Sequence, residues 1–327
     1  MQSIVTIMIL LLAAIPTGAV PDKSVFQVVG RILQGDGAPF REAVPVVFLH
    51  GSLTPFSAQA PVGPDGRFKF KKIPAGTYTL SAAVPRLGEM RKTIEVGVSF
   101  ADSNGNIATD ISFDGTISWE KKGTVSAAEL SVSESAKQEY RKAQDCLSRQ
   151  DVQGAIARLK KAVELSPQFA IALNQLGTIA YQTGKFQQAE EYFRASLKQD
   201  PGLYAPLVNL GGALLALKRD EEALAVNLDS VKVMPGDALA HAQLGQNYYY
   251  LGRFDEAEIH LKRAEALDPS HFSYPQVVLI DLYLRRNRPQ AAVDEMEAFM
   301  KLHPDSDWVP KIRKLLETTR ARLSAKP

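Results

Sequence analysis

Four prolines in the second half of the chain are separated by one constant distance. Pro167, Pro201, Pro235 and Pro269 follow one another at steps of 34 residues. The alanines twelve residues before each proline keep the same phase: Ala155, Ala189, Ala223 and Ala257. A fixed period in this range is typical of stacked repeats, in which one small supersecondary unit recurs. We therefore expect an array of such units here rather than one closed core.

Each repeat contains two apolar patterns with helical spacing. In the unit from Ala170 to Pro201 the apolar residues are Leu173, Leu176, Ile179 and Ala180, then Phe186, Ala189, Phe193 and Leu197. Both sets recur at three- and four-residue steps, which predicts two amphipathic helices. Gly184 separates them, since glycine readily takes the left-handed conformation that ends a helix. Small residues at Gly177 and Ala189 allow the helices to approach closely. Because one hairpin cannot bury its apolar face alone, neighbours must stack.

This pattern resembles the tetratricopeptide repeat. The matching residues of the second unit are Leu173, Leu176, Gly177, Tyr181, Gly184, Ala189, Phe193 and Pro201, and those of the fourth are Leu244, Gly245, Tyr248, Gly252, Ala257, Leu261, Ala264 and Pro269. The resemblance implies an all-α solenoid of five repeats over residues 135–305, beginning near Ala136, Ala170, Tyr204, Ala238 and Ser273. Residues 306–327 are expected to form a capping helix and tail, with Val309, Ile312, Leu315, Leu316 and Leu323 on its apolar side.

The period changes to two between residues 20 and 113. Alternating segments such as Phe68–Phe70 and Tyr78–Leu80 predict strands with one buried face. Turn signals such as Asp65-Gly66 and Asn104-Gly105 separate them. About seven short strands in this length predict a β-sandwich. The chain is thus expected to be multidomain, with a seven-stranded β-sandwich before the helical repeats.

The motifs of this first domain are similar to those of the carboxypeptidase regulatory-like domain, a transthyretin-like sandwich. They are Gly30–Ile32, Gly37–Pro39, Val46–Leu49, Asp65–Phe70 and Ile73–Leu80. The resemblance implies an accessory module without peptidase chemistry. Its broad fold group includes starch-binding modules, so carbohydrate binding by the sandwich is the alternative function. The absence of tryptophan between Val25 and Phe113, with Trp119 at the edge, weakens that alternative.

Residues 1–19 have the pattern of a signal peptide. Ile4–Ile15 is apolar apart from Thr6, and Thr17-Gly18-Ala19 offers a small-x-small cleavage site. We expect an exported protein, periplasmic or extracellular, with no membrane span after cleavage; an uncleaved anchor or a misassigned start is the alternative. Residues 114–134 are expected to form a linker, in which Ser133 could cap the first repeat helix.

Charge and chemistry point away from nucleic acid and from catalysis. The chain has 38 Lys and Arg against 36 Asp and Glu, a net charge of +2, without the clustered basic face that nucleic acid needs. Cys146 is the one cysteine, and its position in the repeat favours a buried apolar role. The five histidines lie far apart in sequence, and a calcium-like Asp102–Asn106 segment is explained by a hairpin turn. We expect no enzyme activity, cofactor or metal.

The resemblance implies that the first helix of each repeat lines a concave groove for a protein or peptide partner. The expected groove residues are Asn174, Gln182, Gln246, Tyr249, Tyr250 and Tyr274. Tyrosines supply contact area together with a polar hydroxyl. Packing of Tyr249 or Tyr250 between neighbouring repeats is the competing interpretation. The sequence therefore predicts an exported, non-enzymatic adaptor or scaffold.

Overall fold

The computed structural model describes residues 25–34, 36–38, 40, 46–84, 88–113 and 130–324. It contains two compact units, divided between Leu217 and Lys218. Of the described residues, 25–217 belong to one unit and 218–324 to the other. The expected signal segment 1–19 and residues 114–129 of the expected linker, with Trp119, lie outside the described residues.

The first unit begins with two sheets. The strands are β1 Val25–Gln34, β2 Val46–Gly51, β3 Ser57–Pro61, β4 Arg67–Pro74, β5 Gly76–Val84, β6 Gly88–Val96, β7 Asn106–Ala108 and β8 Ile111–Phe113. One sheet has the order β4-β1-β7, with β8 also paired to β1, and the other has the order β3-β2-β5-β6. This arrangement confirms the predicted β-sandwich.

The described residues contain eight strands where the sequence predicted about seven, because one edge is interrupted. β7 pairs in parallel with Gln27–Val29, and β8 pairs in parallel with the following stretch, Ile32–Gln34. The two short strands thus succeed each other along one edge of β1. A Cβ on Gly30 would lie 1.7 Å from the carbonyl oxygen of Thr109, so the interruption requires glycine at this point.

The sandwich core follows the alternation seen in the sequence. Phe68 and Phe70 are buried while the lysines beside them are exposed, because successive strand residues face opposite sides. Tyr78 packs inward as predicted, and its buried hydroxyl donates to the carbonyl of Pro74 at 2.9 Å. Gly66 has a φ of 77°, which explains why the Asp-Gly turn needs glycine.

Five helices complete the first unit. They are α1 Glu134–Ser148, α2 Val152–Leu165, α3 Ala170–Gln182, α4 Phe186–Gln199 and α5 Tyr204–Ala216. Ser133 caps α1 as predicted, since its hydroxyl accepts the backbone N–H of Ala136 at 3.2 Å. Gly184 has a φ of 75° directly after α3, so it ends that helix as expected.

Six helices form the described part of the second unit. They are α6 Asp220–Val233, α7 Ala238–Tyr250, α8 Phe254–Leu267, α9 Pro275–Arg285, α10 Pro289–Leu302 and α11 Val309–Ser324. α11 buries Ile312 and Leu316 against α10, which confirms the capping helix. Within the units, the helices pack in the consecutive pairs α1–α2, α3–α4, α7–α8 and α9–α10 that tetratricopeptide repeats form. The first helices of successive repeats are α1, α3, α5, α7 and α9.

The glycine positions set the distance between paired helices. A Cβ on Gly177 of α3 would come within 2.5 Å of the Phe193 ring on α4. A Cβ on Gly245 of α7 would come within 2.7 Å of the Leu261 side chain on α8. Ala189 is fully buried at the first crossing, as its small size predicted. Among the described residues, no helix is both long and apolar enough to span a membrane.

Candidate partner-binding face

Five of the six predicted groove residues lie on first helices. Asn174 and Gln182 belong to α3, while Gln246, Tyr249 and Tyr250 belong to α7. Tyr274 precedes α9. Their burial differs widely, however, so the structure divides the set into open and enclosed side chains.

A polar ladder joins α3 to α5 in the first unit. The side-chain amide of Asn209 donates to the Oδ1 atom of Asn174 at 3.1 Å and approaches the Thr178 hydroxyl at 3.5 Å. All three side chains are partly buried. Asn209 was not predicted, because strict 34-residue phasing from Asn174 leads to Val208, which is buried. The signal available in the sequence was that the polar residue Asn209 directly follows Val208.

Gln182 is enclosed by the sandwich. Its side chain is 8% exposed, and its Nε2 atom donates to the carbonyl oxygen of Gly51 at 2.8 Å. The expectation of an open groove position is therefore corrected for Gln182. The periodic pattern of the repeats carries no information about a contact with another domain.

Tyr249 is also enclosed, and it links α7 to α9. It is 7% exposed, and its hydroxyl donates to the carboxylate of Asp281, which also accepts from Nε of Arg285 at 2.6 Å. The guanidinium carbon of Arg285 lies 5.7 Å from the centre of the Tyr249 ring. Tyr249 thus packs between repeats, the competing interpretation from the sequence. Asp281 is the single acid of a mostly apolar helix, which was a signal for a buried polar partner.

Tyr250 and Gln246 remain accessible beside this buried group. Tyr250 is 37% exposed, and its hydroxyl accepts a hydrogen bond from Nε2 of Gln246 at 3.0 Å. The ring of Tyr250 meets the ring of Tyr249 edge to face, with centroids 5.9 Å apart. The accessible ring of Tyr250 therefore packs against the ring of Tyr249, whose hydroxyl is hydrogen-bonded to Asp281.

Tyr274 is a core residue rather than a groove residue. It is 8% exposed and packs edge to face on Phe299, with ring centroids 5.4 Å apart, and close to His303. Its φ of 50° is unusual for tyrosine, and Pro275 follows it at the start of α9. The expectation that Tyr274 is open to a partner is corrected, because this left-handed turn directs the ring into the core of the last repeats.

Two histidines separated in sequence meet between α7 and α8. The Nδ1 atoms of His241 and His260 lie 2.9 Å apart, and Nε2 of His241 is 3.1 Å from the carbonyl oxygen of Pro235. Nε2 of His241 therefore carries a proton, and Nδ1 of His260 donates to His241. Burial and the neighbouring His241 lower the pKa of His260 to about 4. Both histidines therefore find hydrogen-bond partners within the fold, and His241 is buried.

The described residues include the calcium-like segment and the cysteine that the sequence singled out. Among them, no three His, Cys, Asp or Glu side chains are grouped so that they could hold a metal ion. Both carboxylate oxygens of Asp102 accept hydrogen bonds from within residues 102–106, which lowers its pKa and accounts for this loop as a turn. Cys146 is partly buried against the apolar cluster of the first repeat.

Family models for the tetratricopeptide repeat match residues 140–204, 180–242 and 238–271. Residues 140–271 therefore consist of tetratricopeptide repeats, as the resemblance of the sequence implied. Repeats of this family generally serve as protein-interaction scaffolds. The match does not reach the sandwich, whose assignment to the carboxypeptidase regulatory-like domain stays a prediction.

Similarity to known proteins is confined to part of each. The chain is 24% identical over 106 residues to the human protein described as cell division cycle protein 16 homolog, covering 30% of this chain and 17% of that one. It is 32% identical over 89 residues to the Arabidopsis thaliana protein described as inactive TPR repeat-containing thioredoxin TTL3, covering 27% of this chain and 13% of that one. The chain therefore spans about a sixth or less of the length of these relatives.

A solved structure shares the helical fold. PilW, described as a widely conserved type IV pilus biogenesis factor, is 20% identical with a TM-score of 0.50, and the match covers 59% of this chain and 94% of that one. At this identity the likeness concerns the fold alone.

Proposed function

We propose that first helices of the repeats bind a peptide segment of a protein partner, and that the protein is a non-enzymatic adaptor. The observation that carries this proposal is the side chain of Tyr250. Among the described residues, the exposed large apolar side chains include one aromatic, which is Tyr250.

Tyr250 is held in place before any partner arrives. Gln246 restrains its hydroxyl, and the Tyr249 ring supports its own ring. Tyr249 is in turn fixed by the carboxylate of Asp281. An aromatic side chain that is already ordered loses little entropy on binding, which is the property of an interface anchor.

The ladder of Asn174, Thr178 and Asn209 supports hydrogen bonding along a peptide. These side chains are partly exposed and carry both donors and acceptors. An extended peptide has unpaired backbone N–H and C=O groups that such amides can satisfy. These first helices of the first unit thus suit a neutral peptide backbone.

Truncation of Tyr250 tests the proposal. The partner is first captured with the wild-type protein, and its affinity is then measured for Tyr250→Ala and for the control Ile259→Ala. Ile259 lies on a second helix and is 66% exposed. We expect roughly thirty-fold weaker binding for Tyr250→Ala, as for an interface hot spot, and no change for the control. Equal affinities for wild type and Tyr250→Ala would place the partner elsewhere.

We further propose that the adaptor acts outside the cytoplasm. The support is the apolar run Ile4–Ile15 and the small residues Thr17-Gly18-Ala19 that follow it. Mass spectrometry of the protein from its native host should give a mature chain that starts near Val20. A full-length chain in the cytosolic fraction would refute export.

The surface of the sandwich gives little support to the alternative that the protein binds carbohydrate. Sugar rings commonly stack on accessible aromatic faces, whereas Phe56, Phe68, Phe70 and Tyr78 are buried. Phe48 is partly exposed but stacks on His50. We therefore assign partner recognition to the repeats.

A further inference from the structure

The turn between β2 and β3 contacts the first helix of the second repeat. Nε2 of Gln182, at the end of α3, donates to the carbonyl oxygen of Gly51 at 2.8 Å and lies 3.4 Å from that of Ser52. The bond to Gly51 is buried and joins residues 131 positions apart in the chain. The helix α1 packs against β3, the strand that follows this turn. The turn itself therefore meets α3, and the neighbouring strand meets α1.

The turn presents its carbonyl groups outward because its N–H groups are used within the sandwich. The N–H of Gly51 donates to the carbonyl of Phe56 at 3.0 Å, and the N–H of Ser52 donates to the carbonyl of Thr77 at 2.9 Å. A Cβ on Gly51 would lie 2.1 Å from the carbonyl oxygen of Thr54, so the turn is tight and depends on glycine. Its shape leaves backbone acceptors for an amide donor on α3.

Gln182 recognises this turn in the way a repeat recognises a peptide. A side-chain amide donates to backbone carbonyl groups, which every peptide carries and which give affinity without sequence information. The same donor would otherwise face solvent or a partner, since Gln182 occupies a position at which the repeat pattern predicts an open side chain. The sandwich thus supplies an occupant for this part of the face.

We propose that residues 51–56 are an internal ligand of the C-terminal end of α3, so that the sandwich excludes an outside peptide from Gln182 until the turn leaves. This proposal rests on the proposed function, because exclusion matters only if the first helices bind a peptide. The open part of the first unit's helical face then begins at the ladder of Asn174. A partner that extends from this ladder to the C-terminal end of α3 has to displace the turn.

Isosteric substitution of Gln182 tests the internal ligand in the full-length chain. Gln182→Glu places a carboxylate against two carbonyl oxygens, and this arrangement has no donor. The matched control is Gln246→Glu on α7, whose carboxylate can accept from the Tyr250 hydroxyl. Amide hydrogen exchange is followed by mass spectrometry at about pH 7.5 in segments 51–57 and 178–184. We expect about tenfold faster exchange in both segments for Gln182→Glu, and wild-type rates there for the control.

A measurement at low pH distinguishes loss of the hydrogen bond from loss of side-chain packing in Gln182→Glu. At about pH 4.5 the carboxyl group that Gln182→Glu introduces becomes protonated and regains a donor, so exchange in both segments should return toward the wild-type rate at that pH. A neutral variant, Gln182→Met, keeps the side-chain volume and removes the donor. It should raise exchange in both segments about fivefold, whichever result the charged variant gives, as expected for one lost hydrogen bond.

Two results would overturn the proposal. Wild-type exchange in segment 51–57 of Gln182→Met would show that the turn is not held by Gln182. Faster exchange confined to 178–184 would show that Gln182 acts within its own helix. Neither result bears on Tyr250, which lies on α7, so the proposed partner site is tested separately.

Discussion

The hairpins α3–α4 and α7–α8 are 68 residues apart in sequence and carry the same helix-crossing motif. Leu176-Gly177 in one corresponds to Leu244-Gly245 in the other. In both, the glycine admits a side chain of the second helix at less than 3 Å from where a Cβ would lie. The packing inside a hairpin is therefore set by the repeat motif.

The same hairpins differ in the exposure of residues near the C-terminal ends of their first helices. Gln182 of α3 corresponds to Tyr250 of α7, and yet Gln182 is enclosed by the sandwich while Tyr250 stays accessible. Tyr249 of α7 is enclosed for a different reason, since Asp281 of the next repeat takes its hydroxyl. Equivalent repeat positions thus have different roles, because a neighbouring domain or repeat decides which of them remain open.

The largest difference in stability should lie between two single variants, Tyr249→Ala at the buried tyrosine and Tyr250→Ala at the accessible one. Tyr249→Ala empties a buried site and leaves Asp281 with one partner fewer, so the free energy of unfolding should fall by about 3–5 kcal/mol. Tyr250→Ala should lower it by less than about 1.5 kcal/mol, because its side chain is already partly in water. Urea unfolding followed by circular dichroism measures both. Similar losses for the two variants would remove the distinction between buried and accessible tyrosine.

The glycines at the helix crossings should give the next largest effect. Gly245→Ala meets the backbone nitrogen of Leu261 at 2.9 Å, and backbone cannot move without shifting α8. We expect a loss of about 2 kcal/mol from overpacking. Gly177→Ala meets the side chain of Phe193, which can tilt more easily than a backbone can move, while alanine favours the helix by about 1 kcal/mol at both positions. Its net loss should therefore be smaller, and a larger loss at Gly177 would contradict the crossing geometry.

Acid should lower the stability of the hairpin α7–α8 through His241 and His260. The equivalent positions of α3–α4 should give no such effect. His241 and His260 correspond to Leu173 and Tyr192, which carry no imidazole. The pKa of His260 is lowered from 6.5 to about 4 in the folded state. Below pH 6.5 the unfolded chain binds a proton that the folded chain does not. The stabilisation is therefore complete above pH 6.5 and is lost as the pH falls toward 4.

The double variant His241→Leu, His260→Tyr copies the residues of the earlier hairpin and tests this difference. Urea midpoints are measured between about pH 7 and about pH 4.5 for the variant and the wild type. Glu295, whose pKa burial raises to about 7, titrates in both proteins, so the difference between them isolates the histidine pair. We expect a flatter pH profile for the variant. Parallel profiles would show that the pair does not titrate with unfolding.

The smallest effect should come from the ladder between α3 and α5. Asn209→Ala removes two partly exposed side-chain contacts and should cost about 0.5–1 kcal/mol. Gln246→Ala, the matched change on α7, removes one exposed bond to Tyr250 and should cost less than about 0.5 kcal/mol. Thermal unfolding resolves the two. A cost at Asn209 well above about 1 kcal/mol would mean that the ladder belongs to the core.

The sequence by itself determined the periodic parts of this protein. Helix boundaries near Ala170, Tyr204 and Ala238 follow from a 34-residue period, and the strands follow from alternation, because each pattern reflects a regular backbone. The core residues Phe68, Phe193 and Leu244 were identified for the same reason.

Tertiary structure decided which side chains remain available to a partner. The enclosure of Gln182 depends on the carbonyl of Gly51, 131 residues earlier, and that of Tyr249 depends on Asp281 in the following repeat. Tyr274 turned inward because its backbone is left-handed before Pro275. Periodicity describes how a helix meets its own repeat, whereas burial of an outward position depends on contacts that no local pattern encodes.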